Sequence, residues 1–539
     1  QHSGLGQIIE APLYAAAFSA FSGKAVRVHG KPDRSALSTF RHVLCKDGKW
    51  FLYVPRDMHK VLAKDFGFEI PAEGIHAPAV MQRAQEIFAT RSSLEWEAYC
   101  ISREVEGSTC NTTREWINHP LSRESGVVQE YDDPLLGKFS GLGLHTRLSP
   151  TPRSAPSAHP HKVLRGALEG VRVLDLGVIL AIPSTGRTLM ELGADVIKID
   201  SPHRNPVPWH NDVNRGKRSL LLDLKKPAGL DLFWRLLENA DVVLENFRTG
   251  VADKLGIGYQ AVRARKPGII YCSVNAYGET PAHAQRPGRE VLIQALTGMQ
   301  TRYGGAKPAQ NPLNATDYST GLSAALGVVL ALLHRQRTGQ GQYVNGALIY
   351  SGTLLQSSLL QDFAGKEWNE PGGLDCRGRG PLYRAYQTSD GWIFIAAQED
   401  GLPRCPPLAD AAHLRGDALE GALESRFRER PLAEWETLLR AARIAAHRVM
   451  LSFASVMQEP AAIKQGMSLT RHHPGQGSVT TNGPGIRLSR TPLIPGRPTA
   501  MPGTDAAAIL ADIGMADQLE RLVREGVLVT EGVEPGGAS

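Results

Sequence analysis

The chain repeats itself, and that constrains its fold more than any other feature of the sequence. Ser3-Gly4-Leu5-Gly6-Gln7 returns as Thr338-Gly339-Gln340-Gly341-Gln342, and Asp47-Gly48-Lys49-Trp50 returns as Asp390-Gly391-Trp392. Leu94-Glu95-Trp96-Glu97 returns as Ala433-Glu434-Trp435-Glu436, and Arg147-Leu148-Ser149-Pro150-Thr151-Pro152 as Arg487-Leu488-Ser489-Arg490-Thr491-Pro492. The offset stays between 335 (Gln342 against Gln7) and 343 (Asp390 against Asp47). A period this long denotes duplicated domains, not a solenoid of short units. Residues 166–337 have no counterpart upstream, so the first copy begins in mid-domain. Together with a first residue that is not methionine, this predicts a fragment of a longer protein.

A chain of 539 residues can bury several cores, and its length suggests about three or four domains. Its net charge of +6 is spread along the sequence, with no dense run of Lys and Arg. That argues against a nucleic-acid arm and favours small anionic ligands such as phosphates and carboxylates. The six cysteines form no CxxC pair, which predicts a reduced cytoplasmic protein without a structural metal. No stretch approaches eighteen uninterrupted apolar residues, so no membrane span is expected.

Residues 1–150 read as mixed α/β, with a helix near 8–21, a strand-like run over 43–55, helices near 78–89 and 94–102, and a loop-rich tail. Residues 151–165 are rich in proline and small residues and read as a linker. Residues 166–539 then alternate strand and helix. Strands fall at 171–176, 194–199, 241–246 and 268–274, with helices at 185–192 and 229–239. This pattern predicts βαβ units and an open, parallel, Rossmann-like sheet. A strongly apolar helix over 318–336 carries Leu322, Ala325, Val328, Val329, Leu332 and Leu333 at helical spacing, the pattern of a core helix.

Asp317 stands immediately before that helix. Unpaired backbone N–H groups and the positive dipole end stabilise an ionised carboxylate there. Such a group is either a simple N-cap or a covalent nucleophile towards an acyl carbon. Arg215, Lys217 and Arg218 form a compact basic cluster suited to phosphates, or a solvated turn. Asn246 and Phe247 close the strand at 241–246, where ligands enter open α/β sheets. No Gly-x-Gly-x-x-Gly follows the first strand, so a dinucleotide site has no support.

Residues 166–500 resemble the family III CoA-transferases, the group that includes formyl-CoA transferase, carnitine CoA-transferase and the 2-methylacyl-CoA racemases. The resemblance is carried by Gly170-Val-Arg-Val-Leu-Asp-Leu176, Leu192-Gly-Ala-Asp-Val-Ile-Lys-Ile-Asp200, Asn214-Arg-Gly-Lys-Arg-Ser219 and Leu222-Asp-Leu-Lys225. Ala240-Asp-Val-Val-Leu-Glu-Asn-Phe-Arg248, Asp317-Tyr-Ser-Thr-Gly321 and Arg337-Thr-Gly-Gln-Gly-Gln342 complete it. Residues 1–150 resemble the distal part of the same unit. The family fold is an open sheet domain plus a small α+β domain, here about 166–360 with a C-terminal return and about 380–470.

The resemblance implies that Asp317 attacks an acyl-CoA thioester, forming a mixed anhydride and then an aspartyl-CoA thioester, with Glu290 acidic beside it. It also implies CoA contacts at Ile179, Leu180, Arg215, Lys217, Arg218, Leu222, Asn246, Phe247, Lys254, Leu255 and Arg289. CoA is then a substrate, and no tightly bound cofactor is expected. Ala181-Ile182-Pro183 departs from the Ala-Gly-Pro of the family. Gly372-Gly373 reads as a simple turn or as a mobile loop over the site. The related racemases carry a histidine where this chain has Arg289, which disfavours a two-base racemase; a non-catalytic CoA-binding module is the third reading. Family members interlock as homodimers, so the resemblance implies a homodimer or an internal pseudo-dimer. In the latter, residues 25–130 close over Asp317.

Overall fold

The computed structural model describes residues 5–31, 40–135, 137–151, 165–203, 209–369 and 372–531. The linker expected at 151–165 lies almost wholly outside them.

Six parallel strands form the centre of an eight-stranded sheet. In chain order they are Arg172–Asp175, Asp195–Asp200, Arg218–Leu222, Val242–Glu245, Ile270–Asn275 and Tyr343–Ala347. Their spatial order is third, second, first, fourth, fifth, sixth. This is the doubly wound arrangement, whose strand order reverses between the first and fourth strands and opens a crevice at their carboxyl ends. Their residues are mostly buried, and their apolar side chains pack into cores on both faces of the sheet.

The edges come from far away in sequence. Arg147–Leu148 lines the Tyr343–Ala347 edge antiparallel, and Leu528–Val529 lines Arg218–Leu222. The strand Arg218–Leu222 was not expected. Its basic start masks the apolar run Leu220-Leu221-Leu222, which is buried.

The N-terminal segment departs from the helix expected over 8–21. Ile9–Glu10 is a short strand and Leu13–Ala20 the helix. The strand forms because Ile9 pairs with Leu488 and Glu10 with Arg487. That pairing has a mirror: Val344 pairs with Leu148 and Asn345 with Arg147. A second reciprocal pair of contacts joins Val28 to Val479 and Phe363 to Phe139. Each residue before the repeat stands 335 positions from its counterpart (344 against 9, 363 against 28), and each partner 340 (488 against 148, 479 against 139).

Two smaller sheets flank the large one. The first combines Arg41–Leu44, Trp50–Tyr53 and Gly107–Thr109 with helices Pro55–Phe66, Pro78–Phe88 and Ser93–Arg103. The second combines Gly378–Gly380, Tyr383–Gln387, Trp392–Ala396 and Ala445–Arg448 with helices Gly416–Arg428 and Leu432–Ala441. Hairpins Val128–Asp133/Gly137–Leu142 and Ser468–His473/Gly477–Asn482 complete both parts, the first of them where a loop-rich tail was expected.

Helix Ala315–Thr338 is 24 residues long and apolar enough to cross a membrane, but 56% of its apolar window is buried. Ala325 and Val328 face the core as expected. Leu322 does not: it is 43% exposed, on a face it shares with Leu326 and Leu330.

Candidate active site

Asp317 lies in the first turn of helix Ala315–Thr338, after a cap residue, Asn314, whose side chain caps nothing. The capping falls to Glu290. Its carboxylate accepts the Thr316 amide at 3.2 Å and the Asp317 amide at 2.5 Å. The Gln294 side chain, one turn along helix Glu290–Leu296, donates to the same carboxylate at 2.8 Å and to the Leu313 carbonyl at 3.1 Å. The helix amides therefore serve Glu290, not Asp317 as the sequence suggested. Burial and then the neighbouring Glu290 charge push the Asp317 carboxyl well above its usual range. Burial also raises Glu290, against the pull of its hydrogen bonds. The result is a basic carboxylate, half-buried, whose side chain makes no hydrogen bond among the described residues.

The next residue, Tyr318, is buried. Its hydroxyl donates to Asp212 at 2.6 Å and accepts the Gly23 amide at 2.7 Å. Asp212 also accepts from Ser22 and from Arg187, each at 2.5 Å. Arg187 and Arg215 share Glu191, and Arg215 reaches Asn482 at 3.3 Å. Two cations and two anions thus form a buried, balanced network, completed by Ser22 and Gly23 from the N-terminal part. Of these residues only Arg215 stood out in the sequence, and as a phosphate ligand.

That network corrects the phosphate assignment. Arg215 is fully buried against Glu191 and Asn482. Lys217, also buried, donates to Asp175 at 2.6 Å, the Pro183 carbonyl at 2.7 Å and Asn214 at 3.1 Å. Burial lowers its pKa to about 8, the Asp175 charge opposing that fall. Arg218 pairs with Asp195 and Asp512, and Leu222 is core. All four are spent on the protein itself, because the motif is the entry to a central strand rather than a surface turn. Lys217 acts at one remove: it fixes the loop that follows the first strand.

That loop and the one after the fourth strand meet at the crevice. Asn246 accepts the Val178 amide at 2.7 Å and donates to the Val178 carbonyl at 2.9 Å, clamping the two together. Ile179 is 40% exposed with φ at +66°, while Leu180 is buried beside Val213 and Tyr318. Ile182 points inward onto Gly177, where a Cβ would stand 2.1 Å from its methyl; the departure from the family glycine is absorbed inside the fold. A cavity at the carboxyl ends of the fourth and fifth strands is lined by Asn246, Phe247, Arg248, His283, Arg286 and Glu106. Lys254 is exposed beyond it, and Leu255 packs into the core under the sheet. Arg248, absent from the expected set, is the exposed cation nearest this mouth in sequence.

The first small sheet abuts the helix that carries Glu290. The Asn111 side chain donates to the Leu296 carbonyl at 2.8 Å, and Leu52 packs among Val291, Leu292 and Ala295. Arg286 meets Glu97 at 3.3 Å with both side chains buried, and Arg289 meets Glu106 at 2.7 Å. Arg289 is thus held by an anion at the rim. Gly373 donates its amide to the Arg302 carbonyl at 2.8 Å, which places it against helix Met299–Gly304.

The sequence profile of CoA-transferase family III matches residues 1–162 and 168–506. The chain belongs to CoA-transferase family III. It is 28% identical over 398 residues to the succinyl-CoA:glutarate CoA-transferase of Mus musculus, covering 67% of this chain and 90% of that one. It is 35% identical over 232 residues to the alpha-methylacyl-CoA racemase of Homo sapiens, covering 42% and 59%. A CAIB/BAIF family protein from Brucella suis superposes with a TM-score of 0.56 at 28% identity, over 65% of this chain and 99% of that one. A family III enzyme and its mixed α/β fold with a large parallel sheet are thereby established for this chain.

Proposed function

We propose that the protein transfers CoA from an acyl-CoA to a carboxylic acid through covalent intermediates on Asp317. The observation that carries this reading is the division of labour between the two carboxylates. Glu290 takes the helix amides, which leaves Asp317 basic and free to attack. An Asp317 oxygen attacks the thioester carbonyl, forming a mixed anhydride and releasing CoA thiolate. The thiolate attacks the aspartyl carbonyl, giving an aspartyl-CoA thioester and the donor acid. An acceptor carboxylate attacks that thioester and releases the thiolate again. Thiolate attack on the acceptor's acyl carbon then yields the new acyl-CoA and restores Asp317. The switch-point crevice between Val178 and Asn246 suits the CoA arm, with Phe247 and Arg248 at its mouth.

We further infer that residues 1–150 and 166–539 are related modules that exchange strands, the first supplying Ser22, Gly23 and a covering sheet to the site of the second. The reciprocal registers of Ile9 with Leu488 and Val344 with Leu148 support this. The racemase relative favours a second reading, in which two groups exchange the α-proton of an acyl-CoA. Arg289, paired with Glu106, supplies no base there.

Incubation with an acyl-CoA followed by hydroxylamine converts Asp317 to a hydroxamate, read by peptide mass, and Asp317→Ala abolishes both label and exchange. An unlabelled Asp317 with full exchange in Asp317→Ala overturns the proposal. Deuterium entering the α-carbon without acyl exchange establishes the racemase.

A further inference from the structure

Two apolar surfaces of this chain lack the neighbour that their counterparts in the repeat possess. The first lies on the second small sheet. In the first small sheet, Phe40, Trp50, Leu52 and Cys110 pack against Val291, Leu292 and Ala295 of helix Glu290–Leu296. Trp50 also donates its indole N–H to the Ala306 carbonyl at 3.1 Å. Strand register identifies the equivalents of these four. Arg41 faces Tyr53 and Phe51 faces Thr109, as Arg384 faces Ile395 and Ile393 faces Arg448. Phe40, Trp50, Leu52 and Cys110 therefore correspond to Tyr383, Trp392, Phe394 and Val449. All four are aromatic or aliphatic again, yet none belongs to a buried apolar cluster among the described residues. Tyr383 is exposed, and the Arg377 guanidinium stands over the Trp392 ring, 5.0 Å from its centroid.

The second surface is the N-terminal strand. Val344, the equivalent of Ile9, pairs with Leu148 on one side and with Cys272 of the fifth parallel strand on the other. Among the described residues Ile9 pairs with Leu488 alone. An open strand edge flanked by the exposed Ile9 and Leu13 side chains is a feature that proteins ordinarily cover.

The two surfaces belong together. In the C-terminal part, strand Ile270–Asn275 and helix Glu290–Leu296 are pieces of one large domain, the strand holding Tyr343–Ala347 and the helix holding the first small sheet. The reciprocal pairings of Ile9 with Leu488 and Val344 with Leu148, and of Val28 with Val479 and Phe363 with Phe139, relate the two parts by an approximate twofold. That twofold sets both open surfaces against a single body. A second copy of this chain does not fit there, because its own fifth strand and Glu290 helix are already covered. We propose that Ile9 and Leu13, with the face of Tyr383, Trp392, Phe394 and Val449, dock one further doubly wound domain. It is built as residues 166–337 are, and is joined ahead of Leu5-Gly6-Gln7 as those are joined ahead of Gln340-Gly341-Gln342. Under the second small sheet it places a second acyl-accepting carboxylate. This last clause rests on the reading of Asp317 as the acyl acceptor; the docking does not.

The test puts a second copy of residues 166–337 in place of Gln1-His2, keeping the rest of the chain. Trypsin resistance of the added domain reads docking, and hydroxamate after incubation with an acyl-CoA reads the carboxylates. The added domain resists trypsin, and the label rises from one to two per chain. With Asp317→Asn in the original copy alone, one label remains, on the added domain. Leu13→Lys with Tyr383→Lys then exposes that domain to trypsin and removes its label. In the chain without the addition, the same pair shifts the melting temperature by less than about 2 °C, since both sites are exposed. An added domain cut as fast with the intact surfaces as with the substituted ones overturns the proposal. So does a resistant domain that takes no label while Asp317 does. Dimerisation of the chain without the addition, abolished by the same pair in sedimentation, assigns the surfaces to a second copy and overturns it too. A resistant domain with neither carboxylate labelled overturns the transferase reading instead, and the docking stands.

Discussion

The two small sheets show the same sequence signals producing the same local structure in opposite surroundings. In each, a tryptophan donates its indole N–H to a carbonyl eight residues earlier, Trp96 to Phe88 and Trp435 to Phe427, both at 2.9 Å. Each indole packs on that phenylalanine ring, with centroids 4.6 and 4.5 Å apart. In each, an aspartate from the Asp-Gly turn accepts a backbone amide at the start of the following helix, Asp47 from Ser93 and Asp390 from Leu432. The contrast lies in what they face. Gly107–Thr109 is buried against the helix of Glu290, whereas Ala445–Arg448 is largely exposed. Local sequence specifies the unit, and its neighbour decides whether the unit serves a site.

The N-terminal strands make the same point with larger numbers. Ile9 and Leu13 are 65% and 90% exposed, while their counterparts Val344 and Leu348 are 0% and 6% exposed. Tyr343–Ala347 has strands on both sides, and among the described residues Ile9–Glu10 pairs only with Arg487–Leu488. Replacing Leu348 by Lys buries an unpaired charge and costs about 4 kcal/mol or more. Leu13→Lys stays within about 0.5 kcal/mol, the usual span for an exposed site. Urea midpoints of the two variants measure this directly. Similar losses in both would mean that the two copies share one environment after all.

The counterpart glutamates sharpen the comparison next. Glu97 pairs with Arg286 across the two parts, with both side chains buried, and also accepts the Thr109 amide at 2.9 Å. Glu436, its repeat equivalent, pairs with the exposed Arg448 of its own sheet. Glu97→Gln strands the Arg286 charge and costs about 3–5 kcal/mol. It also lowers turnover, because the Glu290 helix loses its lateral support. Glu436→Gln costs at most about 1 kcal/mol and leaves turnover at the wild-type value. Equal turnover in both variants would remove the first sheet from any role at the site.

Much of this was legible beforehand for physical reasons. Short apolar runs separated by helices gave the first, second, fourth and fifth strands of the parallel sheet, because doubly covered strands put apolar residues on both faces. The place of Asp317 at the start of a core helix followed from the pattern of that helix. What failed depended on partners far away in sequence. Ile9–Glu10 becomes a strand only because residues 487–488 reach it. For Arg215 and Lys217 a sequence shows charge but not direction; Glu191 and Asp175 turn them inward. Leu322 sits at core spacing yet faces outward, as a helix with apolar residues on several faces does not declare which are covered. The capping of Asp317's turn by Glu290, 27 residues earlier, follows no local capping rule.

The smallest expected effect concerns the carboxylate pair itself, which only the C-terminal part carries among the described residues. Asp317 titrates well above its ordinary value of 3.8, chiefly through burial and then through the Glu290 charge. A carboxyl whose folded pKa is raised favours the fold most below its unfolded value, and that contribution is lost as pH rises through the folded value. At neutral pH the ionised Asp317 therefore works against stability. Asp317→Asn removes that penalty, so this inactive variant melts above the wild type at pH 7, by a few degrees, on the order of 2–4 °C. The gap closes as pH falls towards 4, where both proteins carry a neutral group at the position. Thermal melts of both proteins between pH 4 and pH 8 measure it. A constant difference across that range would mean that the site stores no electrostatic strain, and the basic character assigned to Asp317 would fall with it.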